Sequence, residues 1–339
     1  QRRSNVSEHR AYLAVAPGPV FDKLSDIAKK NGFDVHRNDE TMRIDAPLGT
    51  VDMQSHKTGT EVAFAARTAA ELQLLKELYA QRFSALGFDD GIRWSGSGER
   101  IPLNQTLCQV ERSEQISPNF QRVRLSGDFQ TYAGEGVGLH FRFLFGPDGA
   151  GWPTLDANGL TDWPGGMKAW HRPSYTVRKM SPDCDWIDVD IVLHEGGRVT
   201  EWSRHAQRGD AIALHGPSGS KQPVAGHLAL FGDETALPVI LQIVETAPSC
   251  TKGHAILLVS DMRDAQAVET ASAIEVEWSS SMGLVTVKSC LASLEFPVDD
   301  RHFFFAGERA SAADMRATFL AHGLNSSEFK SASYWTRSP

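Results

Sequence analysis

Apolar side chains recur at two different spacings in the first 90 residues or so. Two segments carry them at the period of an amphipathic helix, and three shorter segments alternate apolar and polar residues as strands do. The predicted elements are helices Pro19–Lys30 and Ala69–Leu86 and strands Met42–Ile44, Gly49–Met53 and Glu61–Ala66. This mixture indicates a small α+β unit. The Gly- and Ser-rich stretch Gly91–Gly98 that follows is typical of a domain boundary.

From Thr106 the pattern changes to short alternating strands separated by turn residues. The predicted strands are Thr106–Val110, Phe120–Leu125, Leu139–Leu144, Tyr175–Met180, Trp186–Leu193 and Ala211–Leu214. Several strands at this spacing predict an antiparallel β-barrel or sandwich. The Gly-, Pro- and Trp-rich stretch Gly146–Ala169 is predicted to be a long loop inside it, and loops of that length are usually functional or mobile.

After Pro223, strands and helices alternate. The predicted strands are His227–Phe231, His254–Ser260, Ala273–Glu277, His302–Ala306 and Ser331–Trp335, with helices Thr235–Thr246 and Ser311–His322. This alternation predicts an open parallel sheet covered on both faces. We therefore expect a multi-domain chain: a small α+β domain of unknown role over 1–92, a linker over 93–103, an antiparallel barrel over 104–223 and an α/β domain over 224–339.

Composition narrows the classes of function. With 339 residues, 41% apolar and 22% charged, the chain suits a soluble globular protein of two or three domains. A net charge of -8 argues against nucleic-acid binding but allows a local cationic pocket. We see no secretory signal and no apolar run long enough for a membrane span, so a cytoplasmic location is expected. The scattered cysteines, and the spacing of His9, His36 and His56, predict no metal site.

Arginine, aromatic and hydroxyl residues come together in the segment 171–178. A flavin needs a cation at its phosphates, a flat apolar contact on its ring and a donor near its reactive nitrogen. Arg172, Tyr175 and Thr176 offer these three groups on one predicted strand. An edge strand with a core tyrosine and solvated arginines is the alternative interpretation.

Glycine and hydroxyl residues then open a helix. Gly197 allows close approach of the backbone, and Thr200 is the predicted N-cap of a helix over Glu201–Gln207. Amide groups at such a helix start attract a pyrophosphate. Trp202 is a candidate contact for the adenine or the ring edge, and His194 fits a structural role as well as a cofactor contact.

A second candidate site follows the first strand of the C-terminal domain. After Gly232 and Asp233, Thr235 is the predicted N-cap of a helix with Pro238 in its first turn. Ligands of open parallel sheets bind beyond the carboxyl ends of the strands, so a nicotinamide dinucleotide is expected here. The GxGxxG fingerprint is absent, and an ordinary capped helix is the alternative.

These motifs occur together, and in this order, in a known family. The following segments resemble the siderophore-interacting proteins: His171–Arg178, Asp188–His194, Arg208–Asp210, Gly216–Gly219, Gly232–Pro238, Ala306–Glu308 and Tyr334–Trp335. The resemblance covers residues 104 to 336, and the first 90 residues look similar to a small uncharacterised domain sometimes seen beside this family. It implies a fold like that of the ferredoxin–NADP reductases, with an FAD-binding barrel and an NAD(P)H-binding-like α/β domain.

The resemblance also implies roles for individual residues. Arg172, Tyr175 and Thr176 would hold the FAD phosphate, the ring face and the N5 side, with Thr176 as the catalytic residue. The full set expected at cofactors is Arg172, Pro173, Tyr175, Thr176, His194, Gly197, Val199, Thr200, Trp202, Gly232, Asp233 and Thr235. Where the family often has Gly-Pro-Ala-Ser, this chain has Gly197–Thr200, which keeps the hydroxyl and loses the proline.

A ferric siderophore is often anionic, so a cationic vestibule is expected to attract it. The candidates are Arg142, Lys221 and Arg337. Arg142 stands where the family usually has lysine, which replaces a point charge by a planar fork. Arg337 is shifted by one position from the arginine of the family's Tyr-Trp-Arg pattern.

The predicted function is ferric-siderophore reduction through bound FAD, with electrons from NAD(P)H or a reduced ferredoxin-like carrier. One alternative is a flavin reductase that passes electrons to a carrier protein, and another is a non-enzymatic flavin or siderophore carrier. Acidic and basic residues follow the second predicted strand of the C-terminal domain: Asp261, Arg263 and Asp264. An acidic side chain suits the ribose of NADH and a basic one suits the 2′-phosphate of NADPH, so both donors stay open.

Overall fold

The computed structural model describes residues 7–56, 58–90, 92–94, 101–133, 137–219, 222–279, 284–293 and 297–337. The chain divides into two compact units. The first comprises Gln1–Leu107, Arg142–Pro173 and Ile212–Ser218, and the second comprises Cys108–Phe141, Ser174–Ala211 and Gly219–Pro339. The predicted domains, unlike these two units, are continuous stretches of the chain, and their bounds stay a prediction.

The first unit opens with a six-stranded antiparallel sheet and two helices. In chain order these are β1 (Ser7–Leu13), α1 (Pro17–Lys30), β2 (Asp34–Arg37), β3 (Thr41–Ala46), β4 (Gly49–His56), β5 (Gly59–Ala66), α2 (Ala69–Ala85) and β6 (Arg93–Trp94). The strands lie in the order β2-β3-β4-β5-β1-β6. Both predicted helices and all three predicted strands are confirmed.

Alternation of side chains along the central strands explains this sheet. Met42 and Ile44 of β3 and Val51 of β4 are buried, while the residues between them face outward. The strands β1 and β2 escape prediction from pattern because few of their side chains are buried. Ala11 and Leu13 are the buried apolar residues described in β1, and β2 has no fully buried residue.

The helix α2 buries polar side chains beside its apolar face. Thr68 caps it by accepting a hydrogen bond from the Glu71 amide. The apolar face packs on the sheet, and the polar side chains of Gln73 and Lys76, which border that face, are also buried. Their hydrogen-bond partners lie far away in the sequence, at residues 158 and 159.

The described residues of the middle of the chain form nine strands and one α-helix. They are β7 (Gln105–Ser117), β8 (Phe120–Ser126), β9 (His140–Leu144), β10 (Thr154–Leu155), β11 (Thr161–Asp162), β12 (Ser174–Thr176), β13 (Lys179–Met180), β14 (Trp186–Val192), α3 (Arg198–His205) and β15 (Ala211–Ser218). In the second unit, β8 pairs antiparallel with β7 and with β14, and β14 pairs antiparallel with β13. The prediction of antiparallel strands is confirmed.

Two predictions for this region were wrong in detail. The predicted strand Tyr175–Met180 is two strands, because the backbone changes partners. The Val177 amide donates to Leu139, whereas the Arg178 amide donates to Asp188. The predicted long loop Gly146–Ala169 contains the hairpin of β10 and β11. Trp163, which belongs to this stretch, forms an apolar cluster with Leu144, Trp170 and Ala213.

Both predicted threonine caps were also wrong. The helix α3 begins at Arg198 after the N-cap Gly197, so Thr200 lies inside the first turn, and its hydroxyl accepts a hydrogen bond from the His194 amide. The turn before the next helix is capped by Asp233, whose carboxylate accepts from the Thr235 amide. A carboxylate at this position satisfies the amide directly, so Thr235 follows the cap.

The C-terminal part of the second unit is an open parallel sheet. Its elements are β16 (His227–Gly232), α4 (Leu237–Thr246), β17 (Lys252–Leu258), β18 (Ala273–Ser279), α5 (Leu284–Ser293), β19 (Arg301–Glu308), α6 (Arg309–Ala321) and β20 (Phe329–Trp335). The order is β18-β17-β16-β19-β20, and all neighbours are parallel. Leu230 belongs to a core with α4, whereas Phe231 belongs to a core with α6, which confirms that both faces are covered.

Candidate functional site

Arg142 and Arg172 lie in the first unit near enough for the charge of one to act on the other, and they are called the cationic pair below. Arg142 is an exposed residue of β9, and Arg172 lies just before β12 with its guanidinium carbon 4.9 Å from the centre of the Trp163 ring. Burial and the Arg142 charge lower the pKa of Arg172, and the Glu77 carboxylate raises it. A residue expected at the FAD phosphate and one expected at the ferric chelate therefore belong to one cationic pair.

His215 of β15 lies against this pair and was not predicted. Its ring meets the Trp163 ring edge-on at 5.1 Å, and its Nε2 atom lies 3.1 Å from Oε1 of Gln105. Burial, with the Arg172 and Arg142 charges, lowers the pKa of His215 to about 3. His215 is therefore neutral at pH 7, and the positive charge of the pair comes from the two arginines.

In the second unit, Thr176 belongs to a chain of three polar side chains. Its buried hydroxyl lies 3.0 Å from Nδ1 of His140, and Nε2 of the same ring lies 3.2 Å from the Tyr334 hydroxyl. The His140 and Tyr334 rings are perpendicular, with their centroids 5.6 Å apart. The sequence predicted Thr176 as a site residue, included Tyr334 only in the Tyr334–Trp335 motif of the resemblance, and gave no role to the histidine that joins them.

The protonation of His140 decides what this chain can donate. Burial, followed by the Lys330 charge, lowers the pKa of His140 to about 4, so the ring is neutral at pH 7. A neutral imidazole has one donor and one acceptor nitrogen. The His140 ring therefore has a single N–H for three partners, which are the Thr176 hydroxyl, the Tyr334 hydroxyl and the backbone of Tyr175. Its other nitrogen can only accept, which suits one of the two hydroxyls as the donor.

Tyr175 precedes Thr176 in β12, and Gly219 lies next to the His140 ring. Burial raises the pKa of Tyr175 above its usual value, which keeps the phenol neutral. Gly219 has a φ of +91°, and a Cβ atom there would lie 2.5 Å from the His140 ring. A glycine is thus required at 219 for the His140 ring to occupy its place.

The start of α3 is packed around a histidine. A Cβ atom on Gly197 would lie 2.0 Å from the His194 ring, whose Nδ1 atom is 3.3 Å from the Thr200 hydroxyl. Val199 is buried and Trp202 is half-buried. The packing of His194 by itself accounts for the glycine, and the pyrophosphate role of Gly197, Val199 and Thr200 stays a prediction.

Asp233 joins the ends of three parallel strands. One carboxylate oxygen accepts from the amide and the hydroxyl of Thr235, and the other accepts from the Glu308 amide at 3.0 Å and the Trp335 indole at 2.7 Å. Four protein donors fill the acceptor sites of the carboxylate. Asp233 therefore holds the carboxyl edge of the sheet in place. A role for Gly232, Asp233 or Thr235 at a dinucleotide stays a prediction.

The three cations predicted for a ferric chelate have different surroundings. Arg142 belongs to the pair described above. Arg337 is exposed, with its guanidinium 6.0 Å from the Trp335 ring and its backbone hydrogen-bonded to the Glu308 carboxylate. Lys221 lies outside the described residues. The neighbouring Pro173 accepts a hydrogen bond from the Phe143 amide through its carbonyl.

Arg178 has a structural role that sequence reasoning did not assign. Its guanidinium is 2% exposed and donates to both carboxylate oxygens of Glu245 on α4, at 2.6 and 2.7 Å. Asp190 lies 3.8 Å from its Nε atom and is also bound by Arg122 of β8. This buried network fixes the segment that follows Thr176 to the parallel-sheet part of the same unit.

In the described part of the chain, no group of three or more His, Cys, Asp or Glu side chains could hold a metal ion. No helix in the same ranges is long and apolar enough to cross a membrane.

The acid stability of the protein is expected to depend on His140. Its pKa of about 4 in the folded state is below the ordinary value of about 6.5. Between these values the unfolded chain takes up a proton that the folded chain refuses, so the free energy of unfolding falls as the pH drops from 6.5 to 4. Urea unfolding at pH 7 and pH 5 should show a smaller loss in His140→Gln. An NMR titration in which His140 protonates near pH 6.5 would contradict this assignment.

Antiparallel strands followed by an open parallel sheet define the ferredoxin reductase-like fold of flavin-dependent proteins. Residues 109–221 match the family model of the siderophore-interacting FAD-binding domain, and residues 225–338 match that of the siderophore-interacting protein. The chain therefore belongs to the siderophore-interacting proteins and contains their FAD-binding domain. The residues before 109 lie outside both matches.

Individual relatives agree with this assignment. The ferric vibriobactin reductase ViuB of Vibrio cholerae is 30% identical over 185 residues, which cover 51% of this chain and 65% of that protein. The match thus spans slightly less than two thirds of the relative's length. The NADPH-dependent ferric-chelate reductase of Escherichia coli is 26% identical over 239 residues, 67% of this chain and 91% of that protein. A solved siderophore utilization protein from T. fusca is 25% identical, with a TM-score of 0.60, covering 72% of this chain and 97% of that chain.

Proposed function

We propose that the protein is a ferric-siderophore reductase that takes electrons from NADPH and passes them through FAD to siderophore-bound iron(III), releasing iron(II). The observation that carries the proposal is the succession of both family domains over 109–221 and 225–338. The names of two relatives, a ferric vibriobactin reductase and an NADPH-dependent ferric-chelate reductase, support the same reaction class.

The donor set of the chain fits FAD. Arg172 is a cation held against the Trp163 ring, which suits a phosphate. Tyr175 is a neutral, half-buried aromatic side chain suited to the flavin ring. Thr176 offers a buried hydroxyl next to the neutral His140 ring, so we assign to it the hydrogen bond at N5. When bound, FAD supplies the redox chemistry by accepting two electrons from a nicotinamide and giving them up singly to iron.

The protein has to attract the ferric chelate but does not have to supply ligands to the iron. A siderophore brings its own ligands for iron(III), so the protein must hold the whole complex near the flavin. The exposed Arg142 is suited to attract an anionic complex, and its neighbour Arg172 adds to the local positive potential. We propose Arg142 as the first contact and keep Lys221 and Arg337 as further contacts.

The surroundings of the charges after β17 favour NADPH over NADH. Asp264 is buried and accepts hydrogen bonds from Ser117 and Asn119, so it serves the fold. Asp261 is paired with Arg263, whose side chain is 76% exposed. Arg263 is the more exposed member of this pair, so we propose it as the contact for a 2′-phosphate. A reduced ferredoxin-like carrier remains the alternative donor, and a cytoplasmic location remains a prediction.

Absorbance spectroscopy of the purified protein tests this function. We expect a flavin spectrum that NADPH bleaches under anaerobic conditions, faster than NADH does, and that a ferric siderophore restores with formation of iron(II). A protein that NADPH bleaches but no ferric chelate reoxidises would favour electron transfer to a carrier protein. A flavin spectrum that neither nicotinamide nor a reduced carrier changes would favour the non-enzymatic carrier.

A further inference from the structure

Buried polar side chains at the border of the apolar face of α2 bind the β10–β11 hairpin in the first unit. Lys76 donates from Nζ to the Asn158 carbonyl at 2.7 Å, and Gln73 donates from Nε2 to the Gly159 carbonyl at 3.3 Å. Lys76 has no exposed surface, and this burial lowers its pKa to about 8, against the opposing effect of Asp156 and Glu77. These contacts explain why a helix of the first ninety residues buries polar side chains.

Glu77 follows Lys76 on α2 and connects the same hairpin to the arginine pair. Its Oε1 atom accepts hydrogen bonds from Gln73, at 2.8 Å, and from the Thr161 hydroxyl. Two residues after Thr161 comes Trp163, and the Arg172 guanidinium lies over the Trp163 ring. The path from Glu77 to Arg172 therefore runs through one hydrogen bond, two residues of backbone and one cation–π contact.

The Glu77 charge and the Arg172 charge act on each other. Burial raises the pKa of Glu77, whereas its hydrogen bonds and the Arg172 charge lower it. In turn, Arg142 lowers the pKa of Arg172 and Glu77 raises it. The helix α2 thus places a carboxylate within electrostatic reach of Arg172, whose charge also interacts with that of Arg142.

We propose that Glu77 sets the anion affinity of the Arg142–Arg172 pair, so that the N-terminal sheet-and-helix region is a specificity-determining part of the site. The anion is a phosphate of FAD or an anionic ferric chelate, and to that extent the inference rests on the proposed function. A fixed negative charge next to the pair weakens its attraction for anions, most strongly for those with several charges. Glu77 acts through Arg172 and is a positioning residue.

The variant Glu77→Gln tests this role because it keeps the shape of the side chain and removes its charge. We expect it to bind FAD about threefold to tenfold more tightly than the wild type at low salt, with the difference shrinking as the salt concentration rises. Titration of the flavin-free protein with FAD, followed by flavin fluorescence, measures this. Riboflavin has no phosphate, and its affinity should not change.

Glu71→Gln is the matched control on the same helix. Glu71 is paired with Arg67 and lies six residues before Glu77 on α2, which is between one and two turns. This variant loses the same charge and should bind FAD as the wild type does. Equal tightening in both variants, or unchanged or weaker FAD binding together with unchanged ferric citrate binding in Glu77→Gln, would overturn the proposal.

A second titration separates the two possible anions. The FAD-loaded protein is titrated with ferric citrate, which is anionic, and with ferrioxamine B, which is cationic through its free amine, by quenching of protein fluorescence. Tighter binding of ferric citrate in Glu77→Gln, with FAD affinity unchanged, assigns the pair to the chelate. Tighter FAD binding alone assigns it to the flavin phosphate. Failure of the wild type to reduce any chelate would reject the proposed function while leaving the FAD result intact.

Discussion

Arg172→Ala is expected to yield a folded protein that purifies with far less FAD than the wild type. Arg172 is the cation that we assign to the FAD phosphate, and the Trp163 ring holds it in place. A hydrogen bond to a charged group contributes about 1.5–3 kcal/mol, so we expect FAD affinity to fall roughly tenfold to a hundredfold. The ratio of flavin to protein absorbance, together with an FAD titration, measures the change.

Arg172→Lys is the control for this prediction. Lysine keeps the charge and loses the planar fork, so an intermediate FAD affinity is expected. Riboflavin affinity should fall little in either variant, because the lost contact is with phosphate. Flavin content at the wild-type level in Arg172→Ala would overturn the phosphate assignment.

Arg178→Ala is expected to destabilise the second unit strongly. The change leaves the Glu245 carboxylate, and part of the Asp190 charge, without the buried cation that both now face. Breaking a buried ion pair by removing one partner costs about 3–5 kcal/mol. In a unit of this size that corresponds to a fall in Tm of roughly 10 °C. Thermal and urea unfolding, monitored by tryptophan fluorescence, measure the change.

The double variant Arg178→Met with Glu245→Leu separates the pair from its surroundings. Because it removes both charges, it should recover a large part of the stability lost in either single variant. The exposed pair Arg204–Glu201 provides a comparison, and Arg204→Ala should change stability by less than about 1 kcal/mol. Unfolding of Arg178→Ala at the wild-type temperature would show that this network is not needed for stability.

Local patterns predicted most of the secondary structure and failed where tertiary contacts decide it. The alternation in β3 to β5 and the period of α1 are visible in the chain because one face of each is apolar. The break between Thr176 and Lys179 is invisible, because it depends on Leu139 and Asp188 as backbone partners. The buried Gln73 and Lys76 look like surface residues until the hairpin that covers them is in place.

The residues of the candidate site divide in the same way, into those that a local motif reveals and those that only tertiary contacts bring together. Arg172, Tyr175 and Thr176 could be selected because flavin chemistry needs those three residue types within a short segment. His140 and Glu77 could not, since each is separated from its partner by many residues and carries no local motif of its own. Gly197 was selected for a pyrophosphate, yet its neighbour in the structure is the His194 ring.

The contact between α2 and the hairpin restricts the residue types on α2 more strongly than the residue type at position 158 of the hairpin. Gln73 and Lys76 recognise carbonyl oxygens, which every residue type provides, so side chains at 158 can change through evolution without loss of the contact. The hairpin itself needs Asp156, which accepts from the amides of 158 and 160, and a glycine at 159, where φ is +66°. In related chains, residues 73, 76, 156 and 159 should therefore vary little while 158 drifts, and residue covariation would overlook this contact.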